Sequence, residues 1–313
     1  MTDYGELIDS EIRDFIAKTQ AAYPDDTTAF SIDDQRRVYD EMCVRFRQPY
    51  PPGVTARDRP LGGVPCRIYE TGTAGAVTVL YLHGGGFVVG GLHSHDDVCA
   101  EIAAATGYRV VSADYRLSPE HRHPAAFEDA CAAAVAVAAS WPGRLIVAGD
   151  SAGANLAAAA THALRGTAAA PAGQVLIYGS FSPDVGCDGS YARHAEAPLL
   201  TRADLEFYRD IRFAPGGRDP ADATAAPLAD RDFAGLPPTF LLAAECDPLA
   251  DDSAAYAARL RAAGGRAHSV LAPGLVHGFL RARHMSARAA DAFGQITGAV
   301  AALGRGAFPW DAA

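Results

Sequence analysis

Lysine is almost missing from this chain: Lys18 is the only one, and the 27 basic residues are outnumbered by 37 acidic ones. The formal charge of −10 repels phosphate backbones and anionic lipid heads, so no nucleic-acid partner is expected, and only a local patch such as Arg281 to Arg288 would offer an anion a foothold. No uninterrupted apolar run approaches the ~18 residues that a membrane span needs. The opening Thr2-Asp3-Tyr4-Gly5-Glu6 lacks the basic region and apolar stretch of an export signal, so a cytoplasmic location is expected. The six cysteines, Cys43, Cys66, Cys99, Cys131, Cys187 and Cys246, never fall in C-x-x-C spacing. In a reducing compartment they read as small buried hydrophobes.

What remains is a chain of 313 residues, 49% hydrophobic and 20% charged, with the balance of a soluble globular protein and the length for one large core plus a lid. From residue 60 onward, short β-rich runs alternate with alanine-rich stretches, the pattern of a mostly parallel sheet covered by helices on both faces. The runs predict strands near Cys66–Glu70, Val77–His83, Arg109–Tyr115, Leu145–Gly149, Gln174–Tyr178, Thr239–Ala244 and Ala267–Leu271. Helices are predicted near His95–Ala105, Ala125–Ser140, Ala152–Leu164, Asp251–Ala263 and Ser286–Leu303. Two regions break the rhythm. Residues 1–52 carry two amphipathic helical patterns, and residues 180–235 are helical but irregular and rich in Asp, Gly and Pro. Both read as insertions over a core formed by residues 53–179 and 236–313. Because ligands in open α/β sheets bind beyond the carboxyl ends of the strands, such insertions are the natural lid there.

Two fragments carry chemistry. Gly149-Asp150-Ser151-Ala152-Gly153 lies between a predicted strand and a predicted helix, where a sharp turn would push the Ser151 hydroxyl out to meet a base and a substrate. Glycines at 149 and 153 leave room for that turn. His83-Gly84-Gly85-Gly86 ends an earlier strand, and the amides of Gly85, Gly86 and Ala152 would stabilise the oxyanion of a tetrahedral intermediate.

Such a serine needs an acid and then a histidine later in the chain, each leaving a later strand. Among the ten histidines, His277 follows a strand and the breaker Pro273-Gly274, whereas His162 and His268 fall inside predicted elements. Asp247 leaves the strand before Pro248 and would orient His277. Glu245 is its competitor, otherwise a rim carboxylate paired with an arginine, and Asp251 and Asp252 suit the first turn of the next helix. His93-Ser94-His95-Asp96-Asp97 and His121-Arg122-His123 raise the question of a metal. However, Ser94 with Asp97 resembles a helix cap, and no HExxH or cysteine pair accompanies them, so no metal is expected.

Taken together, His83-Gly84-Gly85-Gly86-Phe87, Asp114-Tyr115-Arg116-Leu117-Ser118-Pro119-Glu120, Gly149 to Gly153, Asp247-Pro248-Leu249 and His277-Gly278-Phe279 resemble the hormone-sensitive-lipase-like group of α/β-hydrolases, most of all the bacterial acetyl esterases. The resemblance implies an eight-stranded, mostly parallel sheet flanked by helices, a helical cap made of the two insertions, and no cofactor. It assigns Ser151 as nucleophile, Asp247 as acid, His277 as base, and Gly85, Gly86 and Ala152 as oxyanion donors, with His83, Gly84 and Asp150 supporting the loop and the elbow. The implied activity is hydrolysis of small, neutral esters with acetyl to butyryl chains. Amide hydrolysis by the same triad and ligand sensing without turnover are the alternatives. The group's habit of pairing through an edge strand would put a homodimer contact at Ala267–Leu271.

Overall fold

The computed structural model describes residues 2–23, 30–72 and 75–310, so positions 1, 24–29, 73–74 and 311–313 of the expected segments lie outside the described residues. Eight strands form one sheet in the order β1-β2-β4-β3-β5-β6-β7-β8. They are β1 (Thr55–Asp58), β2 (Cys66–Glu70), β3 (Val77–Leu82), β4 (Arg109–Ala113), β5 (Arg144–Asp150), β6 (Gly173–Ile177), β7 (Thr239–Cys246) and β8 (Ala267–Val276). β2 runs antiparallel to both β1 and β4, and every other pairing is parallel.

The central strands read as continuous apolar runs because both faces are covered. Val79, Tyr81, Ile146 and Ala148 point to one face and pack with α4 (Asp96–Thr106) and α10 (Ala287–Gly304). Leu80, Leu82, Leu145 and Val147 point to the other, under α5 (Ala125–Ser140), α6 (Ala152–Leu164) and α9 (Ala250–Ala262). Alanine dominates α5 and α6, giving strong helix propensity and letting the helices approach the sheet closely. The first insertion carries α1 (Tyr4–Leu7), α2 (Ser10–Gln20) and α3 (Ile32–Val44); the second carries α7 (Gly189–Arg193) and α8 (Arg202–Arg212).

Several expectations need correction. β1 is an unexpected strand: all four of its residues are exposed, so it carries no apolar alternation. Pro273-Gly274 does not end β8, which runs on to Val276. As an edge strand it has one unpaired side where proline is tolerated. Arg281 to Arg288 is no anion patch, because Arg281 reaches the Tyr39 hydroxyl, Arg283 is buried against Asp97 and Glu101, and Arg288 meets Asp9. Cys187 is exposed and Cys131 half-buried, while the other four cysteines are buried.

No helix among the described residues is long and apolar enough to cross a membrane. A Cβ on Gly153 would stand 1.9 Å from the Leu82 carbonyl oxygen and 2.6 Å from that of His83, both fixed by the sheet. Gly153→Ala is therefore expected to destabilise the protein by about 3 kcal/mol or more. Urea unfolding checks this, and a midpoint like that of the parent chain would contradict the packing.

Candidate active site

β5 ends at Asp150 and α6 begins at Ala152, so Ser151 alone makes the turn, at φ 54° and ψ −120°. A non-glycine residue in that region costs on the order of 1–3 kcal/mol and persists only where its surroundings over-determine it. Here the Ser151 N–H donates to the Ile177 carbonyl at 2.9 Å. The turn also closes so tightly that a Cβ on Gly149 would lie 2.5 Å from the Gly153 carbonyl oxygen.

Two later strands bring up the partners. His277 follows β8, and its Nε2 lies 2.9 Å from the Ser151 Oγ. Its Nδ1 lies 2.7 Å from the Asp247 Oδ2, so a proton on Nδ1 leaves Nε2 free to accept from the serine. Asp247 follows β7 and is fully buried, with its Oδ1 accepting from the Leu249 N–H at 2.9 Å. The Tyr178 ring packs against the imidazole at 4.8 Å between centroids. Glu245, two residues earlier, instead accepts the Gly274 amide at 2.7 Å; it is tied to backbone, not to an arginine.

The glycine loop after β3 closes the other side. A Cβ on Gly85 (φ 131°) would stand 2.1 Å from the Val89 carbonyl oxygen, and one on Gly86 (φ 61°) 2.5 Å from the Tyr208 ring. The amides of Gly85, Gly86 and Ala152 donate to no protein acceptor among the described residues, and all three residues face the cavity that holds Ser151 and His277. Asp150 braces this loop: its Oδ1 accepts from the Gly84 N–H (3.0 Å) and the Tyr81 hydroxyl (2.8 Å), and its Oδ2 from His95 (3.2 Å). Burial pushes the Asp150 carboxyl up, but the opposing charge and hydrogen bonds of His95 and Tyr81 prevail and hold it below the usual range. His83 donates from Nδ1 to the Gly84 carbonyl (2.8 Å) and stacks on Tyr115 at 4.3 Å.

The other polar clusters are structural. His93 pairs with Asp40, Asp96 accepts from Tyr50 and Tyr69, and His123 pairs with Asp222. His95, with no side-chain cap bond, precedes α4, and Ser94 bonds the Gly91 backbone, so the expected Ser94 cap is absent. Asp251 and Asp252 do sit in the first turn of α9. They also accept the backbone amides of Ser190, Phe181 and Ser182, tying the second insertion to the core. Among the described residues no group of three or more His, Cys, Asp or Glu side chains is arranged to hold a metal ion.

The cavity measures about 930 Å³. Phe15 and Tyr39 from the first insertion and Leu200, Tyr208 and Arg212 from the second line it together with the core residues Asn155 and Tyr178. None of these was marked by sequence reasoning, although Asn155 stands in the first turn of α6, directly after the turn at Ser151.

Comparison with known proteins agrees with this geometry. The family described as the α/β hydrolase fold matches residues 79–281. The chain is 36% identical over 248 residues to carboxylesterase NlhH of Mycobacterium tuberculosis, covering 75% of this chain and 77% of that one. It is 32% identical over 282 residues to an acetyl esterase of Salmonella paratyphi B, covering 83% and 84%. An esterase structure from the bacterial hormone-sensitive lipase family superposes with a TM-score of 0.84 at 28% identity, over 96% of this chain and 99% of that one.

His83 supplies a pH test. Burial pushes its pKa down to about 3, so between that value and the ordinary 6.5 the unfolded chain binds a proton that the folded chain refuses. Its contribution to stability is complete above pH 6.5 and falls as the pH drops toward 3, by roughly 1.4 kcal/mol per unit. Urea unfolding at pH 6.5 and 4.5 is expected to show this loss, and His83→Gln to flatten it; equal slopes in the two proteins would rule it out.

Proposed function

The chain belongs to the α/β-hydrolase family, and from that premise we propose that it is a serine carboxylesterase cleaving small, short-acyl esters through an acyl-enzyme. The observation that carries this reading is the unbroken line from the Asp247 carboxylate through the His277 imidazole to the Ser151 hydroxyl, at 2.7 and 2.9 Å. Ser151 Oγ attacks the ester carbonyl carbon while His277 Nε2 takes its proton and Asp247 holds the imidazolium by accepting from Nδ1–H. The carbonyl oxygen becomes an oxyanion facing the amides of Gly85, Gly86 and Ala152, each donor worth about 3–4 kcal/mol of barrier. The intermediate collapses, the C–O bond to the alcohol breaks, and the alcohol leaves with the proton from His277. Water then attacks the acyl-enzyme, giving a proton to His277. The second collapse releases the carboxylic acid and returns the proton to Ser151.

His83, Gly84 and Asp150 hold the loop and elbow in register without touching the reacting atoms. Residues 1–52 and 180–235 act as a cap over the core segments 53–179 and 236–313, since side chains from both insertions wall the cavity. The acetyl esterase relative supports a preference for acetyl to butyryl chains.

Ser151→Ala is expected to abolish turnover, and Asp247→Asn to lower kcat about four orders of magnitude by favouring the wrong histidine tautomer. Steady-state hydrolysis of p-nitrophenyl acetate reads both, and near-parental rates in either variant would refute the assignment. Across p-nitrophenyl esters of rising length, the rate is expected to peak between acetyl and butyryl; a maximum at decanoyl or beyond would overturn the short-chain preference.

A further inference from the structure

Three arginines are buried among the described residues, and they are not equivalent. Arg109 meets Glu70 at 2.7 Å and Arg283 meets Asp97 and Glu101, each the ordinary solution for a desolvated charge. Arg212, 7% exposed at the end of α8, has no carboxylate within ion-pair distance among the described residues. The acid whose charge acts on it, Asp222, is spent on His123 and Thr224. Arg212 donates only to the Ala225 carbonyl (3.1 Å) and the Asn155 Oδ1 (3.3 Å), and its guanidinium lies 3.6 Å over the Phe87 ring. Of five N–H donors, these bonds use two. The Nε–H has no protein acceptor among the described residues, and Arg212 lines the cavity that holds Ser151 and His277.

The position of this unpaired cation makes it more than a strut. Asn155 stands in the first turn of α6, and its N–H donates to the Ser151 carbonyl at 3.2 Å. Phe87 directly follows Gly86 of the oxyanion loop. The guanidinium thus lines the same cavity as Ser151 and His277. A cavity of about 930 Å³ lies near the top of the usual range for ligand sites, about 300–1,000 Å³, so a short acyl group leaves most of it for the distal part of a substrate. Burial also pushes the Arg212 pKa down to about 9, so a bound anion would relieve an unfavourable charge.

We propose that Arg212 is a specificity-determining residue that receives a carboxylate carried by the ester substrate away from its scissile bond. This rests on the esterase reading above, and it departs from the neutral substrate that the sequence suggested. The carboxylate could sit on the acyl side, as in a half-ester of a dicarboxylic acid, or on the alcohol side, as in an acylated hydroxy acid. Guanidinium would meet either with the same paired, charge-assisted hydrogen bonds.

The test compares p-nitrophenyl hemiglutarate with its neutral counterpart p-nitrophenyl valerate, and 4-acetoxybutyrate with its methyl ester, in the parent protein, Arg212→Lys and Arg212→Met. The parent is expected to prefer the charged member of at least one pair in kcat/KM, and which pair responds identifies the side that carries the charge. Arg212→Met is expected to lower that charged-to-neutral ratio about 10- to 100-fold, the worth of one charge-assisted contact, and Arg212→Lys to keep part of it. Free glutarate is expected to inhibit valerate hydrolysis competitively in the parent, a reading that stands even if Arg212→Met does not fold. Discrimination against the charged ester in both pairs, or a ratio unmoved by Arg212→Met, overturns the proposal while leaving the esterase intact. Failure of the folded parent to cleave any of the four esters removes the esterase reading and this inference with it.

Discussion

The Asp150 carboxylate, buried at the carboxyl end of the central strand, ties together parts of the chain that share no backbone connection. It immediately precedes the serine turn, accepts the Gly84 amide of the glycine loop, and takes hydroxyl or imidazole donors from β3, from the loop before α4 and from Tyr178 after β6. A lone buried carboxylate would be unstable or would protonate. Four donors converging on this one make its ionised form the favoured state, so the charge itself enforces the spacing between Ser151 and the amides of the glycine loop. Preorganisation of that kind is what oxyanion stabilisation requires, because donors that must reorient at the moment of reaction lose their advantage.

The insertions are fastened to this frame by a shared apolar core, with Ile12, Phe15 and Met42 of the first buried in the main cluster, and by polar ties as well. Asp252 takes the Phe181 and Ser182 amides, Arg36 of α3 grips Glu120, and Asn155 reaches the carbonyls of Ser180 and Ala225. The Glu120 carboxyl is drawn down to about 2 by its hydrogen bonds to Arg36, so this tie holds across the neutral range and weakens only in strong acid. The second insertion also meets the core through apolar contact: Phe181 and Phe233 are buried in the cluster that holds Leu241 and Tyr256, and Tyr191 and Leu200 pack with Leu249.

The core and the site were legible in the sequence because their constraints are local. Seven strands are short β-rich runs, five helices are periodic or alanine-rich, and the motif glycines at 149, 153, 85 and 86 stand where a Cβ would strike backbone or an aromatic ring. β1 was not legible, since an exposed edge strand of Thr55-Ala56-Arg57-Asp58 presents no face to read. The true extent of β8 was hidden by a Pro-Gly pair that breaks a central strand but not an edge. Asp252 read as a helix-dipole carboxylate, yet its hydrogen-bond partners lie 70 and 71 residues away. Tyr208 and Arg212 were invisible for the same reason: on their own helix they look like surface residues, and only the folded cap turns them toward the site.

Tyr178 shows how closely the pieces depend on one another. It follows β6, holds φ 34°, gives its hydroxyl to the Asp150 Oδ2 at 3.3 Å, and lays its ring against both His277 and Phe279. The same side chain therefore touches the Asp150 brace of the glycine loop and the imidazole of His277. A shift of the His277 loop would disturb the Asp150 cluster, and a shift of that cluster would displace the imidazole. Such packing permits few intermediate positions, because a buried aromatic ring flanked by fixed backbone has nowhere to relax. The 2.9 Å contact between imidazole and serine is thus held from three sides, by Asp247 through Nδ1, by Tyr178 through its ring, and by the strained turn at Ser151 itself.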